Sequence, residues 1–263
     1  MAEIPAKQLD PTVLKTADIT DTFIPVRSGA SWTDVDPATL GGGLPVGAME
    51  LTAIWSDVFN QSRNAAALAS AGYVLNLPGS GSIVEDGTSL TITTPSAYNA
   101  NWYDATRTCE NLALTINKTL ARNVLILSSV RFPATVNQTG VGMVVEWATT
   151  DWYRITHTRA SGASRRDSIR SPTTGTYDAA DGGAEGWVGL AIIGNYAYPV
   201  SLIQNWASGI PAVADLDFLH EPGTLTPTLR GDSFTVRLIN ISYDPSAPGG
   251  AVEFGGLYIY RMD

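Results

Sequence analysis

The sequence predicts an all-β protein, built as an antiparallel two-layer sandwich and preceded by an extended N-terminal arm. Three observations support this prediction. Apolar and polar residues alternate over short runs, 25 glycines and 15 prolines separate these runs, and hydrophobic residues make up 44% of the 263-residue chain. Alternation with a period of two is typical of strands that bury one face. A chain of this length buries a large core without disulfide or metal support.

Residues 1–47 differ from the rest of the chain. Five prolines and the run Gly41 to Gly43 interrupt every helical or strand period there, so we expect an extended segment without a core of its own. Its apolar side chains are costly to leave in water. We therefore expect them to lie on the protein's own domain, on a neighbouring subunit or on a larger assembly, with a disordered leader as the alternative. The proposed assembly residues are Ile4, Leu9, Leu14, Phe23 and Trp32.

Residues 48–263 are predicted to form one strand-rich domain. Between Ala48 and Ala71 the apolar spacing also fits a helix, and we expect at most one short helix around Asn64 to Ala71, with a strand before it. Glu85-Asp86-Gly87 predicts a turn that joins two strands as a hairpin. Residues 159–183 are rich in Ser, Arg, Thr, Gly and Asp, and we expect an excursion between strands there. Further strands are expected at Leu112–Ile116, Val124–Phe132, Val141–Trp147, Trp187–Ile193, Phe234–Ile241 and Val252–Arg261.

Charge and composition exclude several classes of function. The formal net charge is −9 and the isoelectric point is about 4.6, so a polyanion is repelled and nucleic acid is not an expected partner. The single cysteine, Cys109, excludes an intrachain disulfide and is predicted to be a packing residue. No run of eighteen apolar residues occurs, so membrane insertion is not predicted. The first ten residues lack the apolar core of a signal peptide, and no cofactor is predicted.

From Trp55 onward, the order of short motifs resembles concanavalin A-like, laminin G-type jelly-roll domains. Residues 55–60 resemble the opening D-x-F strand of such domains, residues 71–74 the GW strand, and residues 84–90 the EDG-x-L hairpin. The segments 234–237 and 256–259 resemble the returning terminal strands. The resemblance implies a jelly-roll sandwich over residues 48–263, but it assigns no function by itself.

The leader Glu3 to Asp10, with the sequence EIPAKQLD, is similar to the start of many bacteriophage tail-fibre and appendage proteins. In those proteins the phrase opens an arm that attaches the protein to the virion. The resemblance implies a virion protein made in the host cytoplasm, with other virion proteins and further copies of itself as partners and a trimer as the favoured oligomer. Tail fibre, spike, head decoration, and neck or baseplate component all remain open.

No active site is recognisable in the sequence. The acid pairs Asp34/Asp36 and Asp215/Asp217 lack a further acid placed to complete a glycosidase strand motif. G-x-S-x-G is absent, and two histidines leave little for triad or zinc chemistry. We therefore predict no catalytic residue and no enzyme activity. Asp215, Asp217 and Glu221 are interpreted as exposed turn acids, and a metal ion there is the less favoured alternative.

Aromatic residues in or beside the predicted loops are the candidate ligand contacts, because flat rings stack on sugars. Core packing is the competing explanation for each of them. The candidates are Trp102, Tyr103, Trp152, Tyr153 and Trp206. The resulting hypothesis is a virion protein whose sandwich faces outward and contacts a host-surface glycan. A stand-alone carbohydrate-binding lectin and a polysaccharide-degrading enzyme on the same fold are the alternatives.

Overall fold

The computed structural model describes residues 51–95, 102–103, 106–117, 123–132, 139–160, 163–171, 175–179, 183–193, 196–206, 209–219, 223–224, 233–242 and 250–262. The arm, with Ile4, Leu9, Leu14, Phe23 and Trp32, lies outside the described residues. In the part of the chain that is described, no helix is long and apolar enough to cross a membrane.

The described residues form eighteen strands and a single α-helix, α1 (Ala65–Ser70). The strands are β1 (Leu51–Val58), β2 (Tyr73–Asn76), β3 (Ser82–Glu85), β4 (Leu90–Thr93), β5 (Trp102–Tyr103), β6 (Thr106–Arg107), β7 (Asn111–Asn117), β8 (Asn123–Arg131), β9 (Thr139–Ala148), β10 (Asp151–Ala160), β11 (Ala163–Ser171), β12 (Gly175–Ala179), β13 (Glu185–Ile193), β14 (Tyr196–Ile203), β15 (Asp217–Phe218), β16 (Gly223–Thr224), β17 (Ser233–Ser242) and β18 (Ala251–Met262).

The strands form two large sheets, which confirms the predicted all-β sandwich. The nine-stranded sheet has the order β15-β14-β13-β8-β18-β4-β3, with β1 added on β18 and β16 on β14. The seven-stranded sheet has the order β12-β11-β10-β9-β17-β7-β2, and β5 and β6 form a separate pair. Every strand pairing among the described residues is antiparallel, as expected for a jelly roll.

Strand β18 organises the nine-stranded sheet. One edge pairs with β8 along most of its length. The other edge pairs first with β4 and then with β1, so that two separate strands share one side of β18. Between these two partners the register of β18 shifts from Phe254 to Gly256, which leaves Gly255 as the extra residue of a β-bulge.

The main core lies between the two sheets, and a second apolar cluster covers the outer face of the nine-stranded sheet. On β8, Val124 and Ile126 point into the main core, while Leu125 and Leu127 belong to the outer cluster. Both sets are fully buried, which explains why β8 reads as a continuous apolar run instead of an alternating one. Residues of the 3₁₀ turn Val213–Asp215 and its flanks join the outer cluster from the segment after β14.

The predicted short helix is confirmed. It begins after Asn64, whose side-chain oxygen accepts a hydrogen bond from the Ala67 amide at 2.9 Å, and it buries Leu68 against the core. A side chain that caps the first turn in this way satisfies an amide that has no partner within the helix. Ala71 ends the helix, and its amide bonds back to the carbonyl of Ala67.

The predicted hairpin is also confirmed, between β3 and β4. Asp86 Oδ1 accepts hydrogen bonds from the amides of Thr88 and Ser89 at 2.9 and 3.1 Å. Gly87 adopts a φ of 97°, which is the left-handed region that favours glycine. Asp86 and Gly87 are therefore both required by the geometry of this turn.

Arg63 joins two of the motifs on which the jelly-roll resemblance rests. Its guanidinium donates two hydrogen bonds to Asp57, both 2.9 Å long, and a third from Nε to Glu85 at 2.5 Å. Tyr73 also donates to Asp57, at 2.9 Å. This cluster, which we call the Arg63 clasp, fastens the end of β1 to the β3–β4 hairpin.

The prediction of an excursion over residues 159–183 is wrong. β11 pairs with β10, and β12 continues the same sheet. The polar residues of this segment are satisfied across strands: Asp167 on β11 accepts from Arg154 at 2.7 Å and from the Thr156 hydroxyl. Polar strands near a sheet edge share their composition with loops, and composition was the basis of the prediction.

Candidate functional site

One row of side chains crosses the outer face of the nine-stranded sheet. The strand registers align Val84 with Thr91, Thr91 with Glu253, Glu253 with Arg131, and Arg131 with Glu185. Directly paired residues lie on the same face of a sheet. The chain neighbours of Arg131 and Glu253 belong to the main core, so alternation along the strands turns the row outward.

Trp206 lies against this row. The Arg131 guanidinium lies over one face of its ring, with Cζ 4.3 Å from the ring centroid. Arg131 Nε donates to a carboxylate oxygen of Glu253 at 2.9 Å, and Nη2 bonds to the same oxygen. A Cβ added at Gly255 would lie 3.2 Å from Trp206 Cε3, so the bulge glycine permits the close approach of the ring. We call Trp206, Arg131, Glu253 and Gly255 the Trp206 patch.

The Trp206 patch combines three chemical properties in one exposed place. The ring is half-buried, and the side chains of Arg131 and Glu253 remain 42% and 24% exposed. An indole ring stacks on apolar C–H surfaces, a guanidinium donates hydrogen bonds, and a carboxylate accepts them. Few other ligands present C–H faces and hydroxyl groups so close together as a sugar does.

The charge around the patch disfavours anionic ligands. Arg131 is paired with Glu253 and lies beside Glu185 in the register. One positive side chain is therefore accompanied by two negative ones, in a protein whose formal net charge is −9. A uronate or another acidic sugar would meet net repulsion at this site, whereas a neutral or amino sugar would not.

Among the candidate residues whose side chains the structure describes, Trp206 is the one that is partly exposed. Trp152 and Tyr153 are 1% and 3% exposed. Trp152 packs on the outer side of the seven-stranded sheet with Cys109 and Val144, and Tyr153 points into the main core. Both rings are buried on their two sides of β10, Trp152 in the outer apolar cluster and Tyr153 between the sheets. The prediction that Trp152 and Tyr153 contact a glycan is not supported by their burial.

Trp102 and Tyr103 form β5, which pairs with β6, and their side chains lie outside the description. Their role as glycan contacts therefore stays a prediction. Arg131 and Glu253 were not recognised from the sequence. The sequence shows only that each of these two residues stands next to apolar strand residues. That they face each other depends on the register of β8 and β18, which the sequence does not show.

Asp215 and Asp217, the two acids of this group that the structure describes, have different surroundings. Asp215 is exposed at the 3₁₀ turn, whereas Asp217 accepts a hydrogen bond from Arg166 at 2.6 Å. Glu221 lies outside the described residues. Throughout the described ranges, no group of three His, Cys, Asp or Glu side chains is placed to hold a metal ion.

Charged side chains are also buried or half-buried on the outer face of the seven-stranded sheet. Arg154 is 1% exposed and pairs with Asp167, and Arg237 donates from Nε to Glu146 at 2.9 Å. Each cation has an acidic partner within the sheet itself. The pairs account for the burial of these charges and do not by themselves indicate a ligand.

No family model matches the chain, and no curated protein matches it in sequence. Solved structures share its fold. One is a functionally unknown protein from Saccharomyces cerevisiae, with a TM-score of 0.50 and 13% identity over 78% of this chain and 98% of that chain. Another is the CBM2 module of the evolved Dit protein from Lactobacillus casei BL23 phage J-1, with a TM-score of 0.53 and 9% identity over 81% of this chain and 97% of that chain.

Several other neighbours are GH43 proteins. One is BlXynB from Bacillus licheniformis, with a TM-score of 0.54 and 9% identity over 78% of this chain. This chain spans only 39% of that protein, and between 26% and 41% of the other GH43 neighbours. At such identities the likeness shows the fold alone.

The prediction that the protein is not an enzyme needs correction. It rested on the lack of a recognisable acid pair or triad in the sequence. The same sandwich fold occurs in proteins described as GH43 glycoside hydrolases, so the lack of a sequence motif was not sufficient to exclude catalysis. The shared fold excludes no enzyme class and assigns none.

Proposed function

We propose that this protein is a bacteriophage virion component that contacts a host-surface glycan through the Trp206 patch. The observation that carries the proposal is the arrangement of Trp206, Arg131 and Glu253, which brings a half-buried ring and a hydrogen-bonding ion pair to one surface. The fold likeness to a CBM2 module of a phage Dit protein supports it, since the match covers 97% of that chain. The phage-like leader phrase at Glu3 to Asp10 supports it independently.

The proposed ligand is a neutral or amino-sugar glycan. Arg131 is flanked by Glu253 and Glu185, and these acids disfavour a uronate in the same place. A single half-exposed ring binds weakly. Many copies on one particle would raise the overall affinity by several powers of ten, because each further contact becomes intramolecular after the first. Residues 1–47 are proposed to make the contacts with other virion proteins and with further copies of the chain, which most simply form a trimer.

Binding is tested by calorimetry on the purified full chain, with neutral and acidic oligosaccharides from bacterial capsule and lipopolysaccharide. We expect Trp206→Ala to weaken the binding of the neutral ligand about tenfold or more, because it removes the stacking surface. Thr115→Ala is the control, because this exposed residue lies on β7 of the seven-stranded sheet and not on the nine-stranded sheet that carries the Trp206 patch, so its binding should equal that of the unmodified protein. If Trp206→Ala binds like the unmodified protein, the site is wrong.

The same preparations are assayed for release of reducing ends from each oligosaccharide. Reproducible turnover, lost when one carboxylate is replaced, would establish the polysaccharide-degrading alternative.

The virion role is tested by labelling the protein on intact particles for electron microscopy. We expect label at a fixed position on the particle. If no particle carries the label while the chain without residues 1–47 still binds the glycan, the stand-alone lectin is the correct reading.

A further inference from the structure

Apolar side chains are exposed on one edge of the sandwich. Val74 is 57% exposed, Leu77 39% and Val84 51%. β2 and β3 are outermost strands in the described order of the seven-stranded and nine-stranded sheets, and residues 77–81 join them. We call Val74, Leu77 and Val84 the β2–β3 edge. Exposed edge strands commonly carry charges or proline, which discourage pairing with another chain. The exposed positions inside β2 and β3 are instead valines, Val74 and Val84.

The three side chains do not lie on a single plane. Tyr73 on β2 and Ile83 on β3 belong to the main core between the sheets. Side chains alternate along a strand, so Val74 and Val84 point to the opposite outer faces of the sandwich. Two packed sheets are about 10 Å apart. A flat partner surface would cover one of these valines, whereas an extended chain that crosses the edge would cover all three residues.

The edge is held in a fixed shape. Glu110 accepts hydrogen bonds from the amides of Gly79 and Gly81, at 3.0 and 3.2 Å, within the connection between the two strands. A Cβ at Gly81 would lie 2.1 Å from the carbonyl oxygen of Thr93, so only glycine fits there. The Arg63 clasp holds β3 from the other side through Glu85. An arriving chain would therefore bind a preformed surface at low entropic cost.

Residues 1–47 have the properties that such a partner needs. Apolar residues recur at short intervals between five prolines, which restrict the backbone to extended conformations. A fully extended segment of this length spans about 150 Å, so reach is not limiting. β1 begins at Leu51 beside Met262 and runs to Val58 beside Gly256, toward the β4 end of β18. The described part of the chain thus begins at the end of β1 that lies away from the β4 end of β18.

We propose that the arm of one copy crosses the β2–β3 edge of a neighbouring copy and buries apolar side chains against Val74, Leu77 and Val84. This inference rests on the proposed contact of residues 1–47 with further copies of the chain and names the surface that they cover; it does not depend on the glycan.

The first test is the mass in solution, measured by light scattering. We expect the full chain to form an oligomer, and both the Val74→Lys/Val84→Lys variant and the chain without residues 1–47 to be monomeric. Ile210→Lys is the matched control: its side chain is 44% exposed, and it lies between β14 and β15, which stand at the opposite end of the nine-stranded sheet from β3, so its oligomer should persist. A monomeric full chain would overturn the proposal, as would an oligomer that survives the double substitution.

The second test identifies the occupant by disulfide cross-linking. Chains carrying Leu9→Cys, Leu14→Cys or Phe23→Cys are mixed with differently tagged chains carrying Val84→Cys. The native Cys109 is fully buried and does not compete. We expect at least one arm position to form a mixed dimer. The control is a chain that carries both cysteines, one in the arm and one at position 84. No cross-link between the mixed chains, with or without one inside the control chain, would refute docking between copies. Glycan binding by the monomeric variants separates this outcome from a failure of the Trp206 patch.

Discussion

His157 on β10 donates its Nε2 hydrogen to the hydroxyl of Ser201 on β14, across 2.7 Å, and so links the two sheets through the core. The direction of the bond follows from the single hydroxyl hydrogen of Ser201. That hydrogen is donated to the carbonyl of Trp187 at 2.9 Å, so Ser201 accepts from the histidine. Both side chains are fully buried, and no bulk water replaces either partner.

Replacing Ser201 with alanine should lower the free energy of unfolding by about 1–3 kcal/mol, because it leaves the buried Nε2–H and the Trp187 carbonyl without their partner. Urea denaturation measures the loss. Ser56→Ala, at an exposed position on β1, is the control and should change stability by less than about 0.5 kcal/mol. Equal stability of the two variants would show that the link between the sheets contributes nothing.

Arg63→Met should destabilise the fold by about 3 kcal/mol, since it leaves the carboxylates of Asp57 and Glu85 without their cation. The Glu85 side chain is fully buried, and those of Arg63 and Asp57 are 14% and 11% exposed. Arg131→Met is the matched control, because it breaks an ion pair in which the arginine is 42% exposed. That change should cost about 0–1 kcal/mol. Equal losses in chemical denaturation would contradict a structural role for the Arg63 clasp.

Asp151 and Asp86 should give opposite pH dependences. Burial raises the pKa of Asp151, with Arg170 opposing the shift, whereas hydrogen bonds from Thr88 and Ser89 lower the pKa of Asp86. A raised folded pKa contributes stability below the unfolded pKa of about 4, and this contribution is lost as the pH rises. A lowered pKa contributes stability above that value, and it is lost as the pH falls.

The stability of Asp151→Asn relative to the unmodified protein should therefore be higher at pH 7 than at pH 3. Asp86→Asn should show the reverse trend. Thermal unfolding of both variants from pH 3 to pH 7 checks the two signs. Parallel pH profiles for the two variants would contradict the opposite pKa shifts of Asp151 and Asp86.

Cys109 should be inert in the folded protein. Its thiol is fully buried, and burial, with the nearby charge of Glu110, raises its pKa to about 12. The reactive thiolate is therefore scarce at pH 8. We expect no reaction with a chromogenic disulfide reagent in the native state and one equivalent in urea. Rapid reaction of the native protein would show that the segment around Cys109 opens.

The sequence predicted those parts of the fold that depend on local chemistry. The turn at Asp86 and Gly87 was predicted from residues that are typical of tight turns, and the short helix from the apolar spacing before Ala71. β11 and β12 were missed because their polar side chains are satisfied by neighbours such as Arg154 and Thr156, which only the register brings together.

The candidate site was predicted only in part for the same reason. Trp206 was identified by its ring alone. Its partners Arg131 and Glu253 lie 75 and 47 residues away along the chain. Trp152 looked equivalent to Trp206 in the sequence. It is buried because the outer face of the seven-stranded sheet carries an apolar cluster of its own, contributed by Cys109, Val144, Ile239 and Ile241.

The position of β18 at the centre of the nine-stranded sheet has a consequence for biosynthesis. Its partners β1, β4 and β8 leave the ribosome long before it, and the pairing of Phe254 with Leu90 closes a loop of more than 160 residues. Such a sheet cannot close until translation has passed Met262. Contacts so distant in the chain make folding slow, and during that delay the apolar strand β8 lacks its central neighbour. A nascent chain of this protein should therefore depend on chaperones until β18 emerges.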